Sequence, residues 1–166
     1  EVGPFDPENR LIFMTGPLTG TLAPSSGRIT LGAKSPILHP IEHCTRSSVG
    51  GRWGPELKYA GYDGIILEGR SETPVYLLVE NDRAEIRDAE NLWGTDSHHA
   101  QKSLAKELGD PEIRTLCIGQ AGENLSRIAT IQTETGNAAG HSGFGGVMGS
   151  KRLKAITIRG TIGVPV

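Results

Sequence analysis

Residues 136–156, GNAAGHSGFGGVMGSKRLKAI, place six glycines in the first fourteen positions and no formal charge before Lys151. Glycine loses more backbone entropy on ordering than any other residue, so it weakens helices and strands alike. A run this rich implies that something approaches the backbone closely, or that the chain turns where a Cβ would clash. The 166-residue chain holds 23 glycines, about twice the usual share of roughly 7%, and they cluster.

Composition narrows the classes. The length suits one domain with a real core. Net charge is −2 with both signs mixed, and the three Tyr, three Phe and two Trp are scattered. No basic stripe argues for nucleic acid, and no apolar run reaches the roughly 18 residues of a membrane span. Cys44 and Cys117 are too few for a disulfide framework and lack C-x-x-C spacing, so a cytoplasmic home is expected. The chain opens at Glu1-Val2-Gly3-Pro4 and ends at Gly163-Val164-Pro165-Val166; a piece of a longer chain is expected.

Short runs rich in Ile, Val and Thr, bounded by Gly, Pro, Asn or Asp, predict strands at 10–14, 28–31, 64–68, 75–79, 84–87, 115–118, 127–131 and 155–158. Asn81-Asp82 predicts a hairpin turn. Helices are predicted over 55–60, with Pro55 first and Gly61 past the end, and over about 96–108, where Ala100, Leu104 and Leu108 repeat before Gly109. Strands outnumber helices, which favours α+β.

The chain also repeats itself. Ser48-Val49-Gly50-Gly51-Arg52-Trp53-Gly54 is echoed by Gly143-Phe144-Gly145-Gly146-Val147-Met148-Gly149. Ile65-Ile66-Leu67-Glu68-Gly69 with Pro74-Val75 is echoed by Ile156-Thr157-Ile158-Arg159-Gly160 with Pro165-Val166, and Pro7-Glu8-Asn9-Arg10 by Pro111-Glu112-Ile113-Arg114. The prediction is one domain over 1–166, internally duplicated in approximate halves 5–90 and 105–166. Two mainly antiparallel sheets related by a pseudo-twofold and a few helices would build it. The two glycine turns would then face one ligand, with amide arrays suited to phosphate oxygens.

Nucleotide motifs fail. Lys151 is separated from Gly149 by Ser150, and Phe144 stands where a P-loop needs its first glycine. A G-x-G-x-x-G reading from Gly143 ends on Met148.

Other residues nonetheless carry a resemblance. Gly16-Pro17-Leu18-Thr19-Gly20-Thr21, Ala23-Pro24 and Gly27-Arg28 resemble the early signature of the tungsten-containing aldehyde:ferredoxin oxidoreductases. Gly50-Gly51, Gly54-Pro55-Glu56-Leu57-Lys58 and Ala60-Gly61-Tyr62-Asp63-Gly64 are similar to the next block. Ala121-Gly122-Glu123-Asn124, Ala138-Ala139-Gly140, Gly143–Lys151 and Leu153-Lys154-Ala155-Ile156 complete it, in order, over almost the whole chain.

The resemblance implies an amino-terminal domain forming the base for tungsten (or molybdenum) bis-molybdopterin, with Mg²⁺ bridging the pterin phosphates. It implies later domains that bind a [4Fe–4S] cluster, an aldehyde substrate oxidised to a carboxylate, and ferredoxin or an electron-transfer subunit as partner, in a homo- or hetero-oligomer. Some relatives reduce aromatic-ring thioesters; Gly16–Gly20 and Gly27-Arg28 lean to the aldehyde branch. Carried over by position, the cofactor contacts are Arg28, Ser48, Gly50, Asn137, Ala138, Gly140 and His141. No catalytic residue or metal ligand is carried over. Ser48 stands where the family has an asparagine, and Asn137 and His141 stand where arginines are usual. Those departures keep an alternative open: a non-catalytic duplicated β module for a phosphate-bearing ligand or a partner protein.

His39, His43 and Cys44 suggest metal spacing, but Pro40 interrupts a helix there and a polar loop is expected. His98-His99 reads as a solvated helix start. Trp53 and Trp93 fit either a core or a cofactor cleft, and Glu56 and Lys58 read as a helix surface.

Overall fold

The computed structural model describes residues 1–37 and 40–164. His39 and the Pro165-Val166 echo lie outside the described residues.

The first sheet is built from β1 (Leu11–Met14), β2 (Ile29–Lys34), β3 (Cys44–Val49) and β4 (Gly64–Leu67), ordered β3-β2-β1-β4 and antiparallel throughout. Helix α1 (Trp53–Tyr59) connects β3 to β4. The second sheet holds the hairpin β5 (Val75–Glu80) and β6 (Arg83–Asp88), then β7 (Arg114–Cys117), β8 (Ile131–Thr133), β9 (Ala138–Ala139) and β10 (Leu153–Arg159). Its order is β6-β5-β10-β7-β8-β9. Among the described residues only the β5–β10 pairing is parallel. Helix α2 (Ser97–Leu108) precedes β7, α3 (Gln120–Glu123) follows it, and α4 (Phe144–Ser150) joins β9 to β10.

The strand orders β3-β2-β1-β4 and β9-β8-β7-β10 are one topology used twice, with α1 and α4 as equivalent connectors. The echoes before β1 and β7, and at β4 and β10, therefore mark equivalent positions. The glycine echo has a different register. Gly50, just after β3, corresponds to Gly140, just after β9, whereas Gly145 and Gly146 lie inside α4.

That placement answers the glycine question for 143–149. These residues form no exposed amide cradle; they are a buried helix packed on backbone. A Cβ at Gly145 would sit 2.5 Å from the Thr130 oxygen, and one at Gly146 2.7 Å from the Ser126 oxygen. Residues 127–130 accordingly form a turn against α4 rather than the start of a strand.

One core fills the space between the sheets. Leu11 and Phe13 of β1, Ile29 and Leu31 of β2, Trp53 and Leu57 of α1, Phe144 and Val147 of α4, and Ile156 and Ile158 of β10 all contribute. A smaller cluster under α2 takes Tyr76, Leu78, Leu104 and Cys117. Strand β10 is buried along nearly its whole length because it serves both clusters, Ile156 and Ile158 on one side and Ala155 on the other. Trp53 is a core residue: its Nε1 donates to the Ile156 oxygen at 3.0 Å and its ring lies 5.8 Å from that of Phe13.

Helix α2 begins and ends as predicted. Asp96 caps it by accepting from His99 N at 2.8 Å, and Gly109 closes it at φ 67°. Helix α1 starts two residues earlier than predicted, so Pro55 is its third residue, where its missing N–H still costs nothing. Glu56 is not on the surface. It is buried and accepts from Arg159 Nη1 at 3.0 Å and from Gly160 N at 2.9 Å. Lys58 pairs with Asp63 and is largely covered. Among the described residues no helix is long and apolar enough to cross a membrane.

Candidate functional site

The two repeats meet along β3, β9 and the short 3₁₀ turn His141–Gly143. Strand β3 reads Cys-Thr-Arg-Ser-Ser-Val, too polar to signal a strand, yet it pairs with β2 over six positions, among them Thr30 with Ser48 and Gly32 with Arg46. The 3₁₀ turn is pinned to it. Ser142 adopts φ 74°, donates from Oγ to the Arg46 oxygen at 3.2 Å, lies 3.3 Å from Thr45 Oγ1, and accepts on its carbonyl from Ser35 Oγ at 2.9 Å. Those contacts offset the cost of a left-handed serine, of order 1 kcal/mol.

An open cavity of about 380 Å³ lies at this seam, lined by Arg28, Thr30, Arg46, Ser47, Ser48, Gly140 and His141. Arg28 enters from the residue before β2, and its Nη1 donates to Ser48 Oγ at 3.0 Å. Arg46 and Ser48 are two apart on β3 and share its outer face. Gly140 and His141 arrive from the second repeat. Among the described residues no carboxylate lines the cavity, although the chain carries 19 acids against 17 Lys and Arg.

Four of the seven sequence-predicted contacts, Arg28, Ser48, Gly140 and His141, thus line one cavity although they come from both halves of the chain. Gly50, Asn137 and Ala138 do not line it but belong to the same seam. Gly51, at φ 109°, brings the first turn against the second: a Cβ there would meet Thr135 Oγ1 at 3.3 Å and Asn137 Nδ2 at 3.5 Å. Asn137 Nδ2 also donates to Thr135 Oγ1 at 2.7 Å, and Ala138 of β9 pairs with Gln132 of β8. Gly50 has nothing within 4 Å of an added Cβ, and Gly140 has only Thr130 Cγ2 at 3.9 Å. At those two glycines the bare backbone faces open space.

Arg46, Thr30 and Ser47 were not legible as site residues. The available signal was the two-residue spacing of Arg46 and Ser48, which carries meaning only once β3 is known to be a strand. Ser47 Oγ is buried without a hydrogen-bond partner among the described residues, a free polar group at the lining. The other singled-out residues lie elsewhere. Cys44 opens β3, His98 and His99 lie in the first turn of α2, and Trp93 is half-buried beside a separate open cavity with Glu123 and Arg152.

Comparison with known proteins places this geometry. Residues 1–160 match the model of the aldehyde ferredoxin oxidoreductase N-terminal domain. The chain belongs to that family. It is 46% identical over 165 residues to the tungsten-containing aldehyde ferredoxin oxidoreductase of Pyrococcus furiosus, covering 99% of this chain and 27% of that protein. The enzyme of the same name from Pyrococcus abyssi is 48% identical over 160 residues, 96% of this chain and 26% of that one. The active-site complex BamBC of benzoyl coenzyme A reductase, solved with 1,5-dienoyl-CoA, superposes with a TM-score of 0.92 at 44% identity, over 98% of this chain and 24% of the other. The chain spans about a quarter of the length of each.

Proposed function

We propose that this domain is the base on which the tungsten (or molybdenum) bis-pterin cofactor of a larger oxidoreductase rests, and that the cavity at the repeat seam receives the cofactor's phosphate end. The observation that carries the reading is the cavity itself. Residues from both repeats converge there, guanidinium and hydroxyl groups line it, no carboxylate opposes an anion, and bare glycine backbone borders it.

The residues present fit such a group. Arg28 offers a planar two-pronged donor to phosphate oxygens. Ser48 offers a hydroxyl to a phosphate or to a bridging Mg²⁺. His141 and Asn137 offer N–H donors where the family usually has arginines, and the Ala138 carbonyl is an acceptor for the cation's shell. Gly50 and Gly140 let a flat ring system lie against backbone. When bound, the cofactor would supply the oxygen-transfer and two-electron chemistry by which an aldehyde becomes a carboxylate. This chain's share is to hold and orient the cofactor. The [4Fe–4S] cluster, the groups around the substrate and the contacts to ferredoxin belong to the remaining domains of the same enzyme, which we place in the cytoplasm.

Metal analysis of the full-length protein, purified without oxygen, tests the reading. The expected result is close to one tungsten or molybdenum per chain with releasable pterin, lowered severalfold by Arg28→Gln. A metal-free protein that still binds a phosphate-bearing ligand would replace it with the binding-module reading.

A further inference from the structure

We propose that Arg46 is the second arm of the phosphate clamp, working opposite Arg28, although it lies outside the residues carried over by resemblance. The proposal rests on the reading that the cavity takes the cofactor's phosphate end.

Three observations carry it. First, Arg46 and Arg28 stand out among the arginines. Arg52 apart, the others donate to a carboxylate or to a backbone carbonyl among the described residues. Arg28 reaches only Ser48 Oγ, and Arg46 reaches no described partner. Second, both line the same cavity, which holds no acid that would neutralise them. Two exposed guanidinium groups facing one concave space without a counter-charge are arranged for an anion that arrives from outside. Third, the residue opposite Arg46 on β2 is Gly32. With no side chain beside it across the ladder, Arg46 is uncrowded on the β2 side, and Ser48, two residues along the same face of β3, is the group that Arg28 reaches at 3.0 Å. A dianion such as a phosphate monoester or the end of a diphosphate suits two forks; a single aldehyde oxygen does not.

The position of Arg46 also bears on Asn137 and His141, which stand where the family usually has arginines. The arginines at this cavity, Arg28 just before β2 and Arg46 of β3, both come from the first repeat, while the second repeat supplies Gly140 and His141. Cofactor retention should therefore depend on the first repeat more steeply than on the second.

The test uses the full-length protein as Arg46→Gln, Arg46→Lys, Arg28→Gln and Lys102→Gln, the last on the exposed face of α2. Tungsten per chain and pterin released on oxidation are followed during dialysis over a salt series. Removing one charge-assisted fork should shorten cofactor half-life about tenfold in Arg46→Gln. Arg46→Lys should fall between that variant and wild type, since it keeps the charge but loses the fork, and Lys102→Gln should match wild type. The salt dependence should flatten in Arg46→Gln. If Arg46→Gln retains cofactor like wild type while Arg28→Gln loses it, Arg46 is only a solvated charge and the proposal fails, with the cavity reading intact. A loss that Arg46→Lys does not relieve at all also overturns it, because charge is then not what matters. A wild-type chain that carries neither metal nor pterin overturns both.

Discussion

Gly149 of α4 faces the carbonyl of Gly122 in α3 so closely that a side-chain carbon on Gly149 would overlap it. The Gly122 position is also tight, though less so, 2.8 Å from the Gly145 oxygen to an added Cβ. The two helices therefore pack backbone to backbone, and their glycines are steric requirements of the fold. Gly50 is a glycine of a different kind, with open space where its Cβ would be.

This difference predicts opposite outcomes for one substitution. Gly149→Ala should destabilise the protein by about 3 kcal/mol, because backbone on both sides has to give. Gly50→Ala should change stability by less than about 0.5 kcal/mol, as exposed substitutions without new contacts do. Urea unfolding of both variants checks this; equal losses would mean that Gly50 also serves the fold.

How far the sequence revealed the molecule follows from where periodicity survives. The apolar run Leu11–Met14, the spacing of Ala100 and Leu104, and Gly109 past the helix end are local signals, and each element formed where they lie. The duplication was legible from echoes of whole segments, because each repeat buries the same strand order. Strands β3 and β9 were not. The first is polar because it lines the seam, and the second is two residues long. Helix α4 was read as a turn because glycine propensity opposes helix; tertiary packing of Phe144, Val147 and Met148 overrides it. The surface reading of Glu56 failed because its partners, Arg159 and Gly160, lie a hundred residues away.

Glu56 fastens α1 of the first repeat to the end of β10 in the second. Glu56→Ala leaves the buried Gly160 N–H without its acceptor and takes one of two carboxylates from Arg159, which keeps Asp110, and should cost about 2 kcal/mol; Glu56→Gln keeps an acceptor and should cost about 1 kcal/mol. Melting temperatures of the two variants should separate in that order.

The neighbouring Asp110 supplies a pH test. The Glu112 backbone N–H, and then Arg159, which donates to it at 2.7 Å, hold its carboxyl below the ordinary value of 3.8. A carboxyl lowered in the folded state contributes stability above its unfolded value and loses it as pH falls through the folded value. Asp110→Asn should therefore melt below wild type at neutral pH, and the gap should close below about pH 3.8. A gap that stays constant with pH would show that the charge is irrelevant.

The two thiols should differ sharply in reactivity. Burial pushes the Cys117 thiol up to about 12, and its Sγ lies 3.2 Å from the Ser97 oxygen, whereas Cys44 is exposed at the start of β3. Thiolate is the reacting form. Iodoacetamide at about pH 8 should label Cys44 and spare Cys117 until the protein is unfolded, as read by peptide mass spectrometry. Labelling of native Cys117 would require local opening between α2 and β7.

Gly140 separates site from scaffold most directly. Its backbone, at φ −86° and ψ −23°, suits any residue, and the nearest atom to an added Cβ is 3.9 Å away. A valine there enters the cavity bordered by Arg28 and His141 instead of the core. Folding should be nearly indifferent to Gly140→Val, with melting within about 2 °C of wild type, the scale of a sub-kcal/mol surface change. Cofactor retention should not be indifferent, because a branched side chain occupies space where a flat ligand would rest on bare backbone. In the full-length protein the variant should purify with several times less tungsten and pterin than wild type, while keeping its fold by circular dichroism. Full cofactor content in Gly140→Val would show that no ligand approaches this backbone; a collapse in melting temperature would instead make Gly140 a packing glycine like Gly149.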